Sequence, residues 1–133
     1  DICVLSRKKC SCGRTLVKMA KPMGRTDDML IIRGVNVFPS QVEAALVEVE
    51  EVTPHYMIIV DRINNLDTME IQVEMDSRYY TDEIKGIEKI TKKITHVIQQ
   101  ALGLSAKIKL VGPNTLKRSE GKAVHVIDNR KLY

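Results

Sequence analysis

Lys122 is one of several residues whose type suits chemistry on a charged substrate. It follows a glycine in the polar stretch SEGKAVHVID, between two segments of strand-like sequence. An ammonium group on a long flexible stem at such a loop tip can contact phosphate or carboxylate oxygens. The ordinary alternative is a solvated lysine at the start of a strand, and the neighbouring residues by themselves do not exclude it.

A second set of charged residues lies early in the chain, in the stretch GRTDDMLIIRGVNV. Arg25 can offer a guanidinium fork to a hydroxyl or carboxylate group. Asp27 and Asp28 are adjacent, so their side chains diverge and do not form an acid–base dyad. Hydrogen bonds within a turn explain this acidic pair equally simply. Gly34 permits a positive φ or the close approach of a thin ligand, although a plain hairpin turn explains it as well.

All three cysteines, Cys3, Cys10 and Cys12, lie within the first twelve residues. One residue separates Cys10 from Cys12, whereas zinc knuckles usually place two or more residues between their thiolates. Two thiolates supply half of a tetrahedral zinc site, so further ligands are required, and a pair of free thiols is the alternative. The clustering does not indicate a disulfide framework and favours a reducing compartment, which predicts a cytoplasmic location.

The remaining residues that could do chemistry form no recognised set. His55, His96 and His125 are scattered, so we interpret them as structural or surface residues. The sequence has no P-loop, no dinucleotide fingerprint and no Ser-His-Asp set. No apolar run approaches the roughly 20 residues that cross a bilayer, so we expect no membrane partner. A chain that opens at Asp1, without a leader, is expected to be a fragment of a longer protein.

The basic residues are concentrated in one segment of a chain whose formal net charge is +4. Residues 1–33 hold eight Lys/Arg and three acids, whereas residues 34–133 hold thirteen Lys/Arg and fourteen acids. Such a segment can meet nucleic acid, an anionic nucleotide or coenzyme, or an acidic neighbouring domain. No basic helix interleaved with aromatic residues accompanies it, which disfavours nucleic-acid binding.

The first strong secondary-structure signals predict a hairpin followed by a helix. The runs MLII and VNVF are β-like and are joined by Arg33-Gly34, as in a tight hairpin. Apolar residues then recur at helical spacing in the run PSQVEAALVEVE. Ser40 and Glu43 match a capping box, which predicts that the helix begins at Ser40.

A second hairpin and a second helix follow. Strands 56–61 and 67–75 are predicted to pair antiparallel across a turn at Asn64-Asn65. The second strand alternates apolar and polar residues, so one of its faces is buried and the other is wet. The long helix is predicted to start at Thr81 as the N-cap and to stop at Gly103.

The order of these elements predicts an α+β fold. The runs AKIKLV and KAVHVID supply two more strands. With VNVF as the leading strand the order becomes β-α-β-β-α-β, which predicts a ferredoxin-like antiparallel sheet with two helices on one face. A hinge and a short β-hairpin segment precede this unit. The fold hosts many functions and does not decide among them.

Three stretches together carry a family resemblance: GRTDDMLIIRGVNVFPSQVE, PHYMIIVDR and SEGKAVHVIDNR. They are similar to the C-terminal part of adenylate-forming acid–CoA ligases, most of all the phenylacetate–CoA ligases, and the similarity covers nearly the whole chain. The resemblance implies two half-reactions. A carboxylic acid and ATP, with Mg²⁺, give an acyl-adenylate and pyrophosphate. The thiol of coenzyme A then displaces AMP and forms the thioester.

The resemblance also implies a division of the chain. Residues 1–27 would be the end of a large N-terminal adenylation domain and the hinge. Residues 28–133 would form the small mobile C-terminal lid, which swings between one pose for each half-reaction. The partners implied are the N-terminal domain of the same chain and an aromatic carboxylic acid. The fragment alone is expected to be inactive.

Roles follow for the residues that match the family pattern. Lys122 matches the catalytic lysine of adenylation, whose ammonium group would bridge the substrate carboxylate and the α-phosphate. Asp27 matches the hinge residue, where a few backbone dihedrals absorb the domain motion. Arg25 matches an arginine near the AMP ribose. Asp1 matches the aspartate that holds the ribose hydroxyls.

Two further matches concern coenzyme A and a metal. Arg33 and Gly34 match the loop that faces the pantetheine tunnel in the thioester-forming pose. Cys10 and Cys12 resemble a CxCG element of some of these ligases, which upstream ligands would complete as a zinc site. The resemblance leaves Asp28 without a role.

Two other classes of function compete with a ligase domain. One is a non-catalytic ferredoxin-like binding or regulatory module, which could form a homodimer through exposed sheet edges. The other is a nucleic-acid binder, which is supported by the basic first segment alone and would show strongly salt-dependent binding.

Overall fold

A four-stranded mixed sheet and two helices make up most of the computed structural model, which describes residues 2–23, 29–80, 83–118 and 124–131. The elements in chain order are β1 (Leu5–Ser6), β2 (Lys18–Met19), β3 (Leu30–Ile32), β4 (Val35–Val37), α1 (Pro39–Val47), β5 (Val52–Ile63), β6 (Leu66–Met75), α2 (Ile84–Leu102), β7 (Lys107–Val111) and β8 (Val126–Asp128).

The centre of the sheet is the antiparallel hairpin of β5 and β6, in which Ile58 faces Ile71 across the strands. Asn64 and Asn65 have φ angles of 50° and 64°. Positive φ at both turn residues matches the type I′ turns that suit the twist of two-residue hairpins, and asparagine tolerates this conformation. The predicted hairpin and its turn are confirmed.

The outer strands run parallel to their neighbours, in the order β7-β6-β5-β8. A parallel pair needs a crossover connection, and α2 supplies it between β6 and β7. The predicted α+β class is confirmed. The sheet is mixed, however, rather than wholly antiparallel. The prediction of VNVF as its leading strand is wrong, because among the described strands β4 pairs with β3 alone.

The N-cap of the first helix lies two residues earlier than predicted, because Pro39 occupies the first helical position. Proline has the fixed φ and the missing donor that suit this position. Phe38 is the N-cap, and its backbone N–H donates to Gln41 Oε1 at 3.0 Å. The predicted capping box of Ser40 and Glu43 is therefore wrong, and Gln41 fulfils the role assigned to Glu43.

The second helix is amphipathic and ends as predicted. Gly103 has a φ of 71°, and its N–H donates to the carbonyl of Gln99 at 2.9 Å. This left-handed stop favours glycine, which lacks the Cβ that makes the conformation costly. The helix has Glu83 as its N-cap residue, and the predicted cap Thr81 lies outside the described residues.

Both helices pack on the same face of the sheet. The buried side chains of α1, α2, β5 and β6 form one largely aliphatic cluster, to which β3 and β4 add one residue each: Val42, Leu46, Tyr56, Ile58, Val60, Met69, Ile71, Val73, Ile94, Ile98, Ile32 and Val37. Fully burying such a side chain contributes about 1.5–3 kcal/mol. This cluster fixes the β5–β6 hairpin, which in turn holds the loops of the candidate site.

The first described residues form a separate small hairpin in which Leu5 of β1 faces Met19 of β2. Both of these apolar side chains are exposed. Throughout the described ranges, the helices are too short or too polar to cross a bilayer.

Candidate functional site

The predicted catalytic residue Lys122 lies outside the described residues, as do Asp1, Arg25 and Asp27. Their roles therefore stay predictions. The structure does describe the chain on both sides of the segment that contains Lys122. Arg118 is the last described residue before that segment, and His125 lies just after it.

The chain before Lys122 is held by Glu74, a residue of β6 that is 1% exposed. Arg118 donates through Nη2 to Glu74 Oε1 at 2.7 Å and to Asn114 Oδ1 at 3.2 Å. The backbone N–H of Leu116 donates to Glu74 Oε2 at 3.4 Å. Residues 112–118 therefore fold over this carboxylate, which is the centre of the loop.

The hydrogen bonds of the loop decide the charge state of Glu74. Burial by itself raises the pKa of this carboxyl group. The backbone N–H of Asn114 and the guanidinium of Arg118 outweigh burial, and together they hold the pKa of Glu74 below its usual value. Glu74 is thus a buried, ionised carboxylate at neutral pH, and its negative charge is paired with Arg118.

The chain after Lys122 is held by Tyr56 of β5. The rings of His125 and Tyr56 are stacked, with 4.4 Å between their centroids and 9° between their planes. His125 Nδ1 lies 3.3 Å from the carbonyl oxygen of Tyr56, and Ile58 N–H donates to the carbonyl of His125 at 2.7 Å. The interpretation of His125 as a structural residue is consistent with these contacts.

Tyr56 is itself held by the first helix. Its hydroxyl donates to the carbonyl of Pro39 at the start of α1, at 3.0 Å. Burial, together with the negative charge of Glu43, raises the pKa of Tyr56 to about 12. The phenol therefore stays protonated and keeps this hydrogen bond at any physiological pH.

We call the pair of Glu74 with Arg118 and the pair of Tyr56 with His125 the two anchors of the Lys122 segment. A cleft of about 200 Å³ is lined by residues of both anchors. Its lining contains three basic or imidazole side chains besides Arg118, and they are His55, Lys117 and His125. The cleft therefore adjoins both described ends of the Lys122 segment. Of these three side chains, Lys117 carries a formal positive charge, which attracts anionic groups.

Arg33 and Gly34 form the turn of the β3–β4 hairpin, as predicted, with φ angles of 50° and 79°. A Cβ added at Gly34 would meet no described atom within 4 Å, so the backbone conformation rather than crowding favours glycine there. Arg33 donates to two carbonyls, that of Asp67 at 2.9 Å and that of Ser105 at 3.3 Å. The predicted roles toward coenzyme A stay predictions.

Asp67 ties this hairpin to the end of the described chain. It accepts from Arg62 Nε at 2.8 Å and from Arg130 Nη1 at 3.0 Å. Arg130, whose side chain is 4% exposed, also pairs with Asp128 at 2.8 Å and donates to the carbonyl of Ile31 at 2.7 Å. Sequence reasoning missed this network, because an isolated arginine near a chain end gives no sign of burial.

The arginines of this network lower the pKa values of its acidic residues. The guanidinium of Arg62 lowers the pKa of Asp67, and that of Arg130 lowers the pKa of Asp128.

Sequence reasoning also missed the anchoring pairs of Glu74 with Arg118 and of Tyr56 with His125. Their partners are far apart in the sequence, so no local pattern signals them.

Cys10 and Cys12 lie in a turn closed by a hydrogen bond from Gly13 N–H to the carbonyl of Cys10 at 3.0 Å. Hydrogen bonds from Cys12 lower the pKa of the Cys10 thiol. Within the described ranges, no third His, Cys, Asp or Glu joins these thiols in a metal-binding group. Two thiolates supply half of a tetrahedral zinc site, and the zinc role of Cys10 and Cys12 stays a prediction.

Comparison with known proteins shows which protein family this chain resembles in sequence. The sequence model of the AMP-binding enzyme C-terminal domain matches residues 34–130. A phenylacetate-coenzyme A ligase of Thermus thermophilus is 41% identical over 98% of this chain, which covers 32% of that protein. The chain thus spans about a third of the length of this relative.

Solved structures agree with the sequence comparison. A domain of phenylacetate-coenzyme A ligase from Bacteroides vulgatus ATCC 8482 superimposes with a TM-score of 0.73 and 33% identity, over 80% of this chain and 97% of that one. A 2-hydroxyisobutyryl-CoA ligase in the thioesterification state matches with a TM-score of 0.74 and 31% identity, over 97% of this chain and 27% of that one. In its postadenylation state the TM-score is 0.73, over 96% of this chain and 27% of that one. The chain belongs to the family of AMP-binding enzyme C-terminal domains.

Proposed function

We propose that this chain is the C-terminal part of an ATP-dependent, AMP-forming acid–CoA ligase that makes an aryl-acyl-CoA thioester through an acyl-adenylate. The similarity to phenylacetate-coenzyme A ligases over 98% of the chain carries this proposal. Residues 1–27 end the large N-terminal domain and include the hinge, and residues 28–133 are the mobile lid. The partner of the lid is that N-terminal domain, and the fragment alone has no turnover.

Lys122 is the catalytic residue of the adenylation step. The substrate carboxylate oxygen attacks the α-phosphorus of ATP, which enters with Mg²⁺, and pyrophosphate leaves. The ammonium group contacts both the carboxylate and the α-phosphate and offsets the negative charge that grows as the bond forms. The anchors at Arg118 and His125 support this role, because they fix both described ends of the Lys122 segment.

The second step uses the other end of the lid. The thiolate sulfur of coenzyme A attacks the acyl carbonyl carbon, and AMP leaves as the thioester forms. Gly34 and Arg33 line the approach of the pantetheine chain, Arg25 and Asp1 hold the nucleotide, and Asp27 is the pivot between the poses. The similarity to a ligase solved in both the postadenylation and the thioesterification states supports this two-pose scheme.

The activity is tested on the full-length protein that contains this chain. We expect AMP and an acyl-CoA to form together, and only when an aryl carboxylic acid, ATP and coenzyme A are all present. A panel of phenylacetate, benzoate and short aliphatic acids defines the substrate, with AMP and thioester measured by chromatography. Absence of acid-dependent AMP formation with every member of the panel contradicts the proposal.

A further inference from the structure

Glu74 is a carboxylate buried on the face of the sheet that the helices do not cover. Its neighbours on that face of β6, Glu70 and Gln72, are half-buried, whereas Glu74 is 1% exposed. Residues 112–118 fold over Glu74, and the N–H of Leu116 and the guanidinium of Arg118 donate to its carboxylate. A buried carboxylate is costly unless donors satisfy it, and in the observed conformation this loop supplies those donors.

The donors that satisfy Glu74 come from the part of the chain that leads to Lys122. The shortest contact is the one from Arg118, four residues before Lys122, at 2.7 Å. Arg118 also reaches Asn114, which closes the loop on itself. The carboxylate therefore fixes the position and direction of the chain where the Lys122 segment starts.

The far end of the same segment has an independent anchor. His125 follows Lys122 by three residues and stacks on Tyr56 at 4.4 Å. Both anchors, Glu74 and Tyr56, stand on the β5–β6 hairpin at the centre of the sheet. Fixing both ends of a short loop removes much of the freedom that would otherwise be lost when its lysine meets the substrate.

We infer that Glu74 and Arg118 are positioning residues for adenylation, which act through Lys122 by fixing the start of its loop. This inference rests on the proposed function of Lys122. It differs from a stabilising role in one respect. The pair matters for the step that uses Lys122 and is dispensable for the thioester-forming step.

The experiment measures both half-reactions in the full-length enzyme. Arg118→Met keeps an unbranched apolar stem and removes the donors of the side chain, and Glu74→Gln keeps the shape of the other partner and removes its charge. We expect each to slow adenylation on the order of 10- to 100-fold, as small misplacements of a catalytic group do. Thioester formation from a supplied acyl-adenylate should change by less than about twofold.

A double-mutant cycle distinguishes positioning from stability. If Arg118 acts through Lys122, then Arg118→Met adds no further loss of adenylation rate once Lys122→Ala is present. Lys93→Gln is the matched control, because it breaks an ion pair of 2.9 Å between Lys93 and Glu51. The two cations are similarly exposed, since the side chain of Lys93 is 47% exposed and that of Arg118 is 43% exposed. Both half-reactions should be unchanged in this control.

Three outcomes overturn the inference. They are no effect of Arg118→Met on adenylation, equal losses in the two half-reactions, and additive losses in the double variant. If Glu74→Gln fails to fold, the half-exposed Arg118 alone decides the matter. If instead Lys122→Ala leaves adenylation unchanged, the proposed role of Lys122 fails. If Lys122→Ala slows adenylation but Arg118→Met does not, the role of Lys122 stands and only the positioning role of Arg118 fails.

Discussion

At the scale of single residues, two contacts of different chemistry hold the chain on either side of Lys122. One is the charge-assisted pair of Glu74 with Arg118, and the other is the aromatic stack of Tyr56 with His125. The first depends on ionisation and the second on ring shape. The two can therefore be tested separately by substitution and by pH.

The stack predicts that His125 contributes to stability through its ring. His125→Ala should lower the free energy of unfolding by about 1 kcal/mol, the usual contribution of an aromatic pair. His125→Phe should recover most of this loss, because it keeps a planar ring over Tyr56. Chemical denaturation of the chain measures both variants. A His125→Phe variant as unstable as His125→Ala would show that the stack is not the source of the stability.

The arginine-paired carboxylates predict a loss of stability in acid. Glu74, Asp67 and Asp128 have folded pKa values below their ordinary values of 4.5 for Glu and 3.8 for Asp. Their stabilisation is complete above the unfolded pKa values and is lost as pH falls through the lower folded ones. Unfolding at pH 7, 4.5 and 3 should show a steep decline over the lower two values. Glu74→Gln should be less stable at pH 7 and less sensitive to acid, and an unchanged acid slope would contradict this.

The sequence predicts Glu74 as a wet residue, since it alternates with buried ones along β6. This prediction was wrong, because the chain returns some forty residues later and residues 112–118 cover that position. Period-two alternation indicates which residues share a face of a strand but not whether a distant loop covers that face. The anchors of the candidate site were therefore invisible in the sequence, although Lys122 itself was singled out.

At the scale of elements, the β3–β4 hairpin is tied to the sheet by arginines rather than by strand pairing. Arg33 bonds to the carbonyl of Asp67, and Arg130 joins the side chain of Asp67 to the carbonyl of Ile31. The segment after β8 and the hairpin that contains Gly34 are thereby joined through one carboxylate.

This junction predicts a large effect for the loss of Arg130. Arg130→Ala removes the cation from a nearly buried cluster and leaves Asp67 and Asp128 with one partner fewer, which should cost about 3 kcal/mol of unfolding free energy. Arg78→Ala is the control, because it breaks an exposed arginine–carboxylate pair at 2.9 Å. Its melting temperature should match that of the parent chain. Equal effects of the two substitutions would contradict the importance of the buried network.

Strong periodicity and turn chemistry allowed most elements to be predicted, including the β5–β6 hairpin, the turn at Asn64-Asn65 and the end of α2 at Gly103. The pairing of the short strands was not predictable in the same way. Runs of three residues such as β4 and β8 carry no signal for a partner strand, and distant packing decides it. The start of α1 was also missed. The fixed φ of Pro39 suits the first position of a helix, so α1 begins there rather than after Ser40.

At the scale of the whole molecule, the buried contacts join the Gly34 hairpin, the central sheet and the anchors of the Lys122 segment. In the proposed function, a domain built in this way turns as one unit through a change of a few dihedrals at the hinge, which exchanges the proposed roles of Gly34 and Lys122.

The hinge makes a prediction for the full-length enzyme. Asp27→Pro fixes φ near −65° at the proposed pivot, so one of the two half-reactions should be blocked selectively. Asp28→Asn is the matched control, because it changes the adjacent acid, to which no role is assigned, and both half-reactions should be retained. Unchanged rates of both half-reactions in Asp27→Pro would exclude Asp27 as the pivot.

The central claim is that the chain supplies Lys122 to the adenylation step of an acid–CoA ligase. The most direct measurement compares Lys122→Ala with the parent enzyme in each half-reaction, with the exposed Lys131→Ala as a control. Adenylation should slow about 100-fold or more in Lys122→Ala, as expected for loss of a group that stabilises transition-state charge. Thioester formation from a supplied acyl-adenylate should continue at the parent rate. Equal losses in the two half-reactions, or none in adenylation, would contradict the claim.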